Sequence, residues 1–210
     1  MPGVSSLTVF LLAALALLLI PGPAVLYIVA RSVDQGRTAG LVSVVGVGLG
    51  SMVHVAAAAL GLSALLVQSA VAFTTVKYVG AAYLVYLGVR RLLDRDDDFA
   101  GHAASDRTLR NVFIQGIWVN ILNPKTALFF FAFLPQFVSV DAGAVGLQIL
   151  FLGALFVSMG IVTDGIYAMA AGSLGTWLKQ RPAIITAQRW LAGGIFISLG
   201  VATALTGPKD

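Results

Sequence analysis

Hydrophobic residues in this chain come in long blocks, with neither the alternation of a half-buried strand nor the stripe of a surface helix. Six apolar segments cover residues 6–32, 39–68, 71–93, 111–138, 144–178 and 186–205, with short polar joins between them. Each exceeds the ~20 residues that an α-helix needs to cross the hydrocarbon of a bilayer. The pattern predicts an all-α, polytopic membrane helix bundle of six transmembrane helices. The longest polar join, 94–110, contains Asp94-Arg95-Asp96-Asp97-Asp98 and divides three spans from three. One integral-membrane domain is expected over 1–210: a first unit over about 1–93, a linker over about 94–110, and a second unit over about 111–210.

Two of these blocks are interrupted. Pro21-Gly22-Pro23 lies inside the first span and Asn123-Pro124-Lys125 inside the fourth. A proline within a helix removes one backbone N–H and clashes with the carbonyl four residues back. Lipid offers no water to repair that loss, so such backbone must face protein or a polar cavity. Helices 1 and 4 are therefore expected to be broken, with the breaks meeting near the membrane middle. Matched Pro/Gly interruptions in two halves of a membrane protein point to a transport site.

Internal similarity strengthens that reading. Lys77-Tyr78-Val79-Gly80-Ala81-Ala82 followed by Leu87-Gly88-Val89 matches Arg189-Trp190-Leu191-Ala192-Gly193-Gly194 followed by Leu199-Gly200-Val201. Pro23-Ala24-Val25-Leu26-Tyr27 similarly matches Pro124-Lys125-Thr126-Ala127-Leu128-Phe129. With three spans in each unit, the second copy enters the membrane from the opposite side. The expectation is two inverted three-helix repeats, a common plan of secondary transporters.

Charge sets the orientation. Charged residues make up only 10% of the chain and hydrophobic ones 59%, against roughly 25% charged in soluble domains; mean hydropathy is +0.94. Arg31 and Arg37 flank the first join. Arg90, Arg91, Arg95, Arg107 and Arg110 flank the third, and Lys179, Arg181 and Arg189 the fifth, so ten of the thirteen basic residues share one side. The positive-inside rule makes that side cytoplasmic and puts both termini outside, in a bacterial-type inner (plasma) membrane. The N-terminal Met1-Pro2-Gly3-Val4-Ser5-Ser6 lacks the basic n-region of a cleaved signal, so the first segment reads as a retained span. The net charge of +4 fits basic cytoplasmic loops and does not argue for nucleic acid. The absence of cysteine excludes disulfides, thiolate metal sites and thiol redox chemistry.

Several motifs in register resemble one family. The early Pro-Gly-Pro is one, and the Lys-Tyr-x-Gly-Ala-Ala-Tyr-Leu-x-Tyr-Leu-Gly stretch at 77–88 is another. A third is Phe113-x-x-Gly116-x-x-x-Asn120-x-x-Asn123-Pro124-Lys125, followed by Phe129-Phe130 and Pro135-Gln136-Phe137. Together they are similar to the LysE/RhtB family of amino-acid exporters over essentially the whole chain. The resemblance implies efflux of amino acids or close derivatives, by exchange with protons. No residue visible in the sequence selects among lysine, threonine, homoserine and leucine.

The candidate substrate-binding residues are Pro21, Gly22, Pro23, Asn120, Asn123, Pro124 and Lys125. The half-helices beginning near Pro23 and Pro124 present unpaired N–H groups and partial positive charge, which suit an amino acid's α-carboxylate. Asn123 is a good N-cap for the second. Lys125 sits about thirteen residues into its span, roughly 20 Å at 1.5 Å per residue. A charge that deep costs at least ~2.5–3.5 kcal/mol unless it faces a partner or cavity. It either binds the substrate carboxylate or pairs with an acidic group or carbonyl. Asp164, in the fifth span, has no basic neighbour in sequence and is a candidate for proton or charge coupling. His54, mid-span in the second, is a further coupling candidate, because a histidine changes charge near physiological pH; its bland reading is a neutral packed residue. Asn120 is expected to hydrogen-bond carbonyls freed in span four. Gly46 and Gly50 have the small-x-x-x-small spacing of close helix contact. Tyr27, Tyr83, Tyr86, Tyr167 and the Phe129-Phe130-Phe131 run read as lipid contacts, belts or packing.

No Walker A sequence, no His-Glu-x-x-His and no Gly-x-Ser-x-Gly is present, so neither an ATP-driven pump nor an intramembrane hydrolase is expected, and no cofactor or metal. The alternative to a secondary exporter is a passive channel or membrane scaffold without ion coupling. The expected partners are an amino-acid substrate, protons and membrane lipid; a homodimer is compatible with so small a bundle.

Overall fold

The computed structural model describes residues 4–62, 108–140 and 142–178, with scattered helical positions between 75 and 93 and between 190 and 204. Every regular element among them is helical. The expected third and sixth spans, the motif pair at 77–89 and 189–201, and the linker 94–110 lie wholly or largely outside the described residues.

Helix α1 covers Val4–Leu18 and α2 covers Pro23–Ala57, continuing as a π-helical turn over Ala58–Leu62. After the linker come α3, Leu109–Ile121, and the short α4, Pro124–Leu128. A π-helical turn (Phe129–Phe133) and a 3-10 turn (Leu134–Phe137) carry the chain out of α4. Helix α5 spans Val145–Leu178. Two stretches, Pro23–Gly61 and Val145–Ser173, are long and apolar enough to cross a membrane; α3 with Pro124–Phe137 makes a third if counted as one span, bent by 46°.

Helix α2 is not straight. At Gly36 the backbone takes φ 84°, ψ 175°, and two helices meet there. A Cβ on Gly40 would fall 1.9 Å from Ser32 Oγ. Residues eight apart on a straight helix stand roughly 12 Å apart, so the chain doubles back. Ala24 and Ile28 accordingly pack with Val44 and Val47 in one buried cluster that Ala168 of α5 completes. The expected join between the first two spans thus falls at Gly36, where the left-handed φ favours glycine.

The second limb of α2 packs between α3 and α5. Its glycines permit this: a Cβ on Gly46 would lie 2.4 Å from the Phe113 carbonyl oxygen, and one on Gly50 would lie 2.7 Å from that of Ile117. The Gly46/Gly50 contact read from the sequence is borne out. A larger core joins α1, the π turn after α4, and α5 through Phe10, Leu17, Phe129, Phe130, Leu152 and Phe156. Phe129 stacks on Phe156 at 4.0 Å between centroids. The phenylalanine run is thus largely interior packing.

The two ends of the bundle differ. At one, Tyr27 Oη donates to the Val112 carbonyl (2.7 Å), Arg31 donates to Gln115 Oε1 (3.2 Å) and Arg37 to Ser173 Oγ (2.7 Å). At the other, the loop between the 3-10 turn and α5 is held by the Gln148 amide, which bonds both backbone groups of Ser139 and the Gly143 carbonyl.

Candidate functional site

Both proline motifs break their helices, and the breaks meet. α1 ends at Leu18 and α2 starts with Pro23 in its first turn, after Gly22 at φ −109°, ψ −172°. α3 ends at Ile121 and α4 starts at Pro124. Gly22 lies against Lys125, and a Cβ there would stand 2.9 Å from Lys125 Cδ. Glycine is needed at 22 for space and not for φ, which any residue can adopt.

A broken helix leaves carbonyls without partners, and their repair can be followed atom by atom. Pro124 has no N–H for the Asn120 carbonyl, four residues back. That oxygen accepts instead from the Asn123 N–H at 3.0 Å, and His54 Nε2 lies 3.0 Å from it as a second donor; a carbonyl can only accept, so Nε2 carries the hydrogen. Pro23 has no N–H for the Leu19 carbonyl, and Tyr167 Oη donates to it at 2.8 Å. The next carbonyl, Ile20, accepts from Lys125 Nζ. Donors on the second limb of α2 and on α5 therefore serve the breaks in span four and span one respectively.

The second break is also braced from within. Asn123 caps α4, its Oδ1 accepting from the Lys125 N–H at 3.1 Å. Asn120 Oδ1 accepts from Asn123 Nδ2 (3.2 Å) and Thr126 Oγ1 (2.9 Å). Its Nδ2 donates to the Val47 carbonyl (2.9 Å) and Ser51 Oγ (2.7 Å). This corrects one expectation: the Asn120 amide ties span four to span two and does not repair span four's own carbonyls. The Asn120 carbonyl is served by the Asn123 N–H and by His54, whose ring also stacks parallel to Phe130 at 6.3 Å.

Between the breaks lies a cavity with about 40 Å³ of room for water centres, lined by Gly22, Ser51, Asn120, Asn123, Lys125 and Asp164 among others. That holds a few waters, so a larger solute has to widen it. Lys125 is 8% exposed and Asp164 7%. Both line this cavity, yet among the described residues they form no ion pair within 4.0 Å. The cavity thus carries one cationic and one anionic wall group. Leu17, Leu18, Phe156 and Val157 border it from the aromatic core, and Ala24, Val44 and Val47 from the smaller cluster.

The structure thus gathers Gly22, Asn120, Asn123, Lys125 and Asp164 on one cavity, with Pro21, Pro23 and Pro124 shaping the backbone around it. His54 sits behind the wall, bonded to the Asn120 carbonyl. Tyr167, read from the sequence as lipid contact or packing, is instead a carbonyl donor at the first break. Sequence reasoning also misses Ser51 and Thr126. Counting four residues back from each proline finds the carbonyls that lose their regular helical donor, but not the donors that reach them from other helices.

No group of His, Cys, Asp and Glu able to hold a metal ion exists among the described residues. Two helices broken by proline and meeting at a charged, buried cavity define a membrane translocator. The chain belongs to the LysE type translocator family, whose model matches residues 15–207. It is 30% identical over 195 residues to a membrane protein of Vibrio cholerae, covering 93% of this chain and 94% of that one. It is 29% identical over 210 residues to the membrane protein YrhP of Bacillus subtilis, with 96% and 99% covered. It is 28% identical over 195 residues to the homoserine/homoserine lactone efflux protein of Salmonella typhimurium, with 93% and 94% covered. No solved structure matches the chain. As a translocator it is not an enzyme.

Proposed function

We propose that this protein is a secondary-active exporter of an amino acid or close derivative, driven by exchange with protons. The carrying observation is the pairing of one buried ammonium, Lys125, with one buried carboxylate, Asp164, on a cavity between two broken helices. A zwitterion presents the complementary pair. Its carboxylate would meet Lys125 and the N–H groups opening α2, its ammonium Asp164. Neither charge tolerates hydrocarbon alone, which supports an interior role for both. When the substrate leaves, Asp164 is the group placed to take a proton.

The similarity to a homoserine/homoserine lactone efflux protein suggests small, polar amino acids as first candidates. Homoserine carries a carboxylate and its lactone does not, so the two separate the roles of the wall charges. The deciding experiment is counterflow of labelled amino acids, homoserine included, in proteoliposomes with and without a pH gradient. Saturable counterflow that a pH gradient accelerates is expected. Asp164→Asn should flatten the pH dependence. Passive equilibration with no counterflow would instead favour a channel.

We further propose six spans as two inverted repeats, with the Arg31/Arg37 end cytoplasmic. Single cysteines replacing Thr38 and Ser139 in this cysteine-free chain test the orientation. An impermeant thiol reagent on intact cells should label the 139 site and spare the 38 site. The reverse labelling would overturn the topology.

A further inference from the structure

We propose that the C-terminal end of α1, together with Asp164, is a monovalent-cation site whose resident cation is the tethered ammonium of Lys125. This rests on the transport reading for its purpose, but not for its test.

Three observations converge. The carbonyl end of a half-helix carries partial negative charge, and here the two carbonyls just past the end of α1, Leu19 and Ile20, have no helical partner. One of them, Ile20, accepts the Lys125 ammonium; its neighbour Leu19 is taken by Tyr167. A carboxylate, Asp164, lines the same cavity as that ammonium and is likewise buried. One carbonyl oxygen thus touches the ammonium, and the carboxylate stands beyond 4.0 Å across the same cavity; carbonyl and carboxylate oxygens are the donors that hard cations prefer. In discontinuous helices, such C-terminal ends are where a coupling Na⁺ or proton is held.

Here the position is filled covalently. The lysine starts from the first turn of α4 and crosses to span one, passing so close to Gly22 that a side chain there would strike its stem. A tethered ammonium cannot leave with the substrate. It gives the substrate carboxylate a positive partner at no cost in bound ions, and it leaves the proton as the exchangeable charge. The wild-type carrier is therefore indifferent to sodium. Removing the side chain while keeping the oxygens should expose a site for a small free cation.

The test uses purified full-length protein in detergent and in proteoliposomes, with choline, too large for the site, as the balancing cation. Sodium or methylammonium should raise the melting temperature of Lys125→Ala saturably by several degrees. Neither should stabilise wild type, Lys125→Met, whose apolar chain refills the space, or Lys125→Ala/Asp164→Asn. Lys125→Ala should also lose counterflow and regain part of it with methylammonium. Folding of Lys125→Ala only when one of these cations is present would be the same result; no folded protein under either condition counts against the site. A Lys125→Ala melting point as insensitive as that of wild type overturns it, as does sodium-dependent counterflow by wild type. If wild type shows no counterflow of any amino acid, the transport reading fails, while the melting series still decides the cation site.

Discussion

The two proline breaks look alike in sequence and are built differently. The break in span four largely supports itself. Asn123 caps α4, Thr126 and Asn123 both bond the Asn120 side chain, and the Asn123 N–H bonds the Asn120 carbonyl; from elsewhere come only His54 on that carbonyl and the α2 groups, Val47 and Ser51, that the Asn120 amide bonds. The break in span one has no such local support. Gly22 offers no side-chain cap, and the Leu19 and Ile20 carbonyls depend on Tyr167 and Lys125, more than a hundred residues away. The difference gives the site a direction. A disturbance in span four or five reaches span one through these two donors, whereas span one holds little of span four in place.

The largest expected effect tests that direction. Lys125→Met removes a charged donor from a buried carbonyl and the positive wall of the cavity. A charged hydrogen bond from Lys125 to the substrate carboxylate would be worth about 1.5–3 kcal/mol, so on the proposed reading homoserine counterflow should fall by about 10- to 100-fold. Counterflow of the lactone, which lacks the carboxylate, should fall less. Amide exchange should rise at residues 19–22 and stay near wild type at 120–123. Equal loosening of both breaks would erase the asymmetry.

The second break should answer to its own residues. Asn120 is 1% exposed and joins four side-chain hydrogen bonds, two of them to span two. Asn120→Ala leaves several of those groups buried and unpaired, at about 1–3 kcal/mol for each group that finds no water. Asn123→Ala removes the cap and one of the bonds to the Asn120 side chain and should cost about 1–2 kcal/mol. Thermal melts should rank Asn120→Ala below Asn123→Ala, with both leaving exchange at 19–22 near wild type. Loss of the first break in either variant would show that the support runs both ways.

Part of this site is legible in the sequence alone. A proline deep in an apolar block needs no context to break a helix, so both breaks and the Asn123 cap follow from local chemistry. Small residues four apart likewise predict the close face of Gly46 and Gly50. Lys125 and Asp164 stand out because a charge in a membrane span demands a partner. What the sequence hides are tertiary pairings. Nothing local assigns Tyr167 to Leu19, 148 residues away, or turns the Asn120 amide towards Val47 and not its own helix. His54 carries two readings, a coupling group or a packed ring, and its position on the Asn120 carbonyl depends on where α3 crosses α2.

The smallest effects are the most discriminating, because they read the repair of each break directly. The Asn120 carbonyl already accepts from the Asn123 N–H; Pro124→Ala adds the helical N–H within its reach, so His54 becomes more redundant there. His54→Phe keeps a ring against Phe130 and removes the donor; alone it should cost about 1 kcal/mol, as a typical buried hydrogen bond does. In the Pro124→Ala background that cost should shrink. The same holds for Tyr167→Phe with Pro23→Ala at the Leu19 carbonyl. Two double-mutant cycles from melting data should each give a coupling of at least about 0.5 kcal/mol, while His54→Phe with Pro23→Ala and Tyr167→Phe with Pro124→Ala should be additive. The first break has fewer supports, so its cycle should be the larger, and the Pro23→Ala background should lose more transport at equal membrane expression. Coupling that ignores this pairing, or that is absent from both cycles, would mean that the two donors merely pack beside the breaks without holding them.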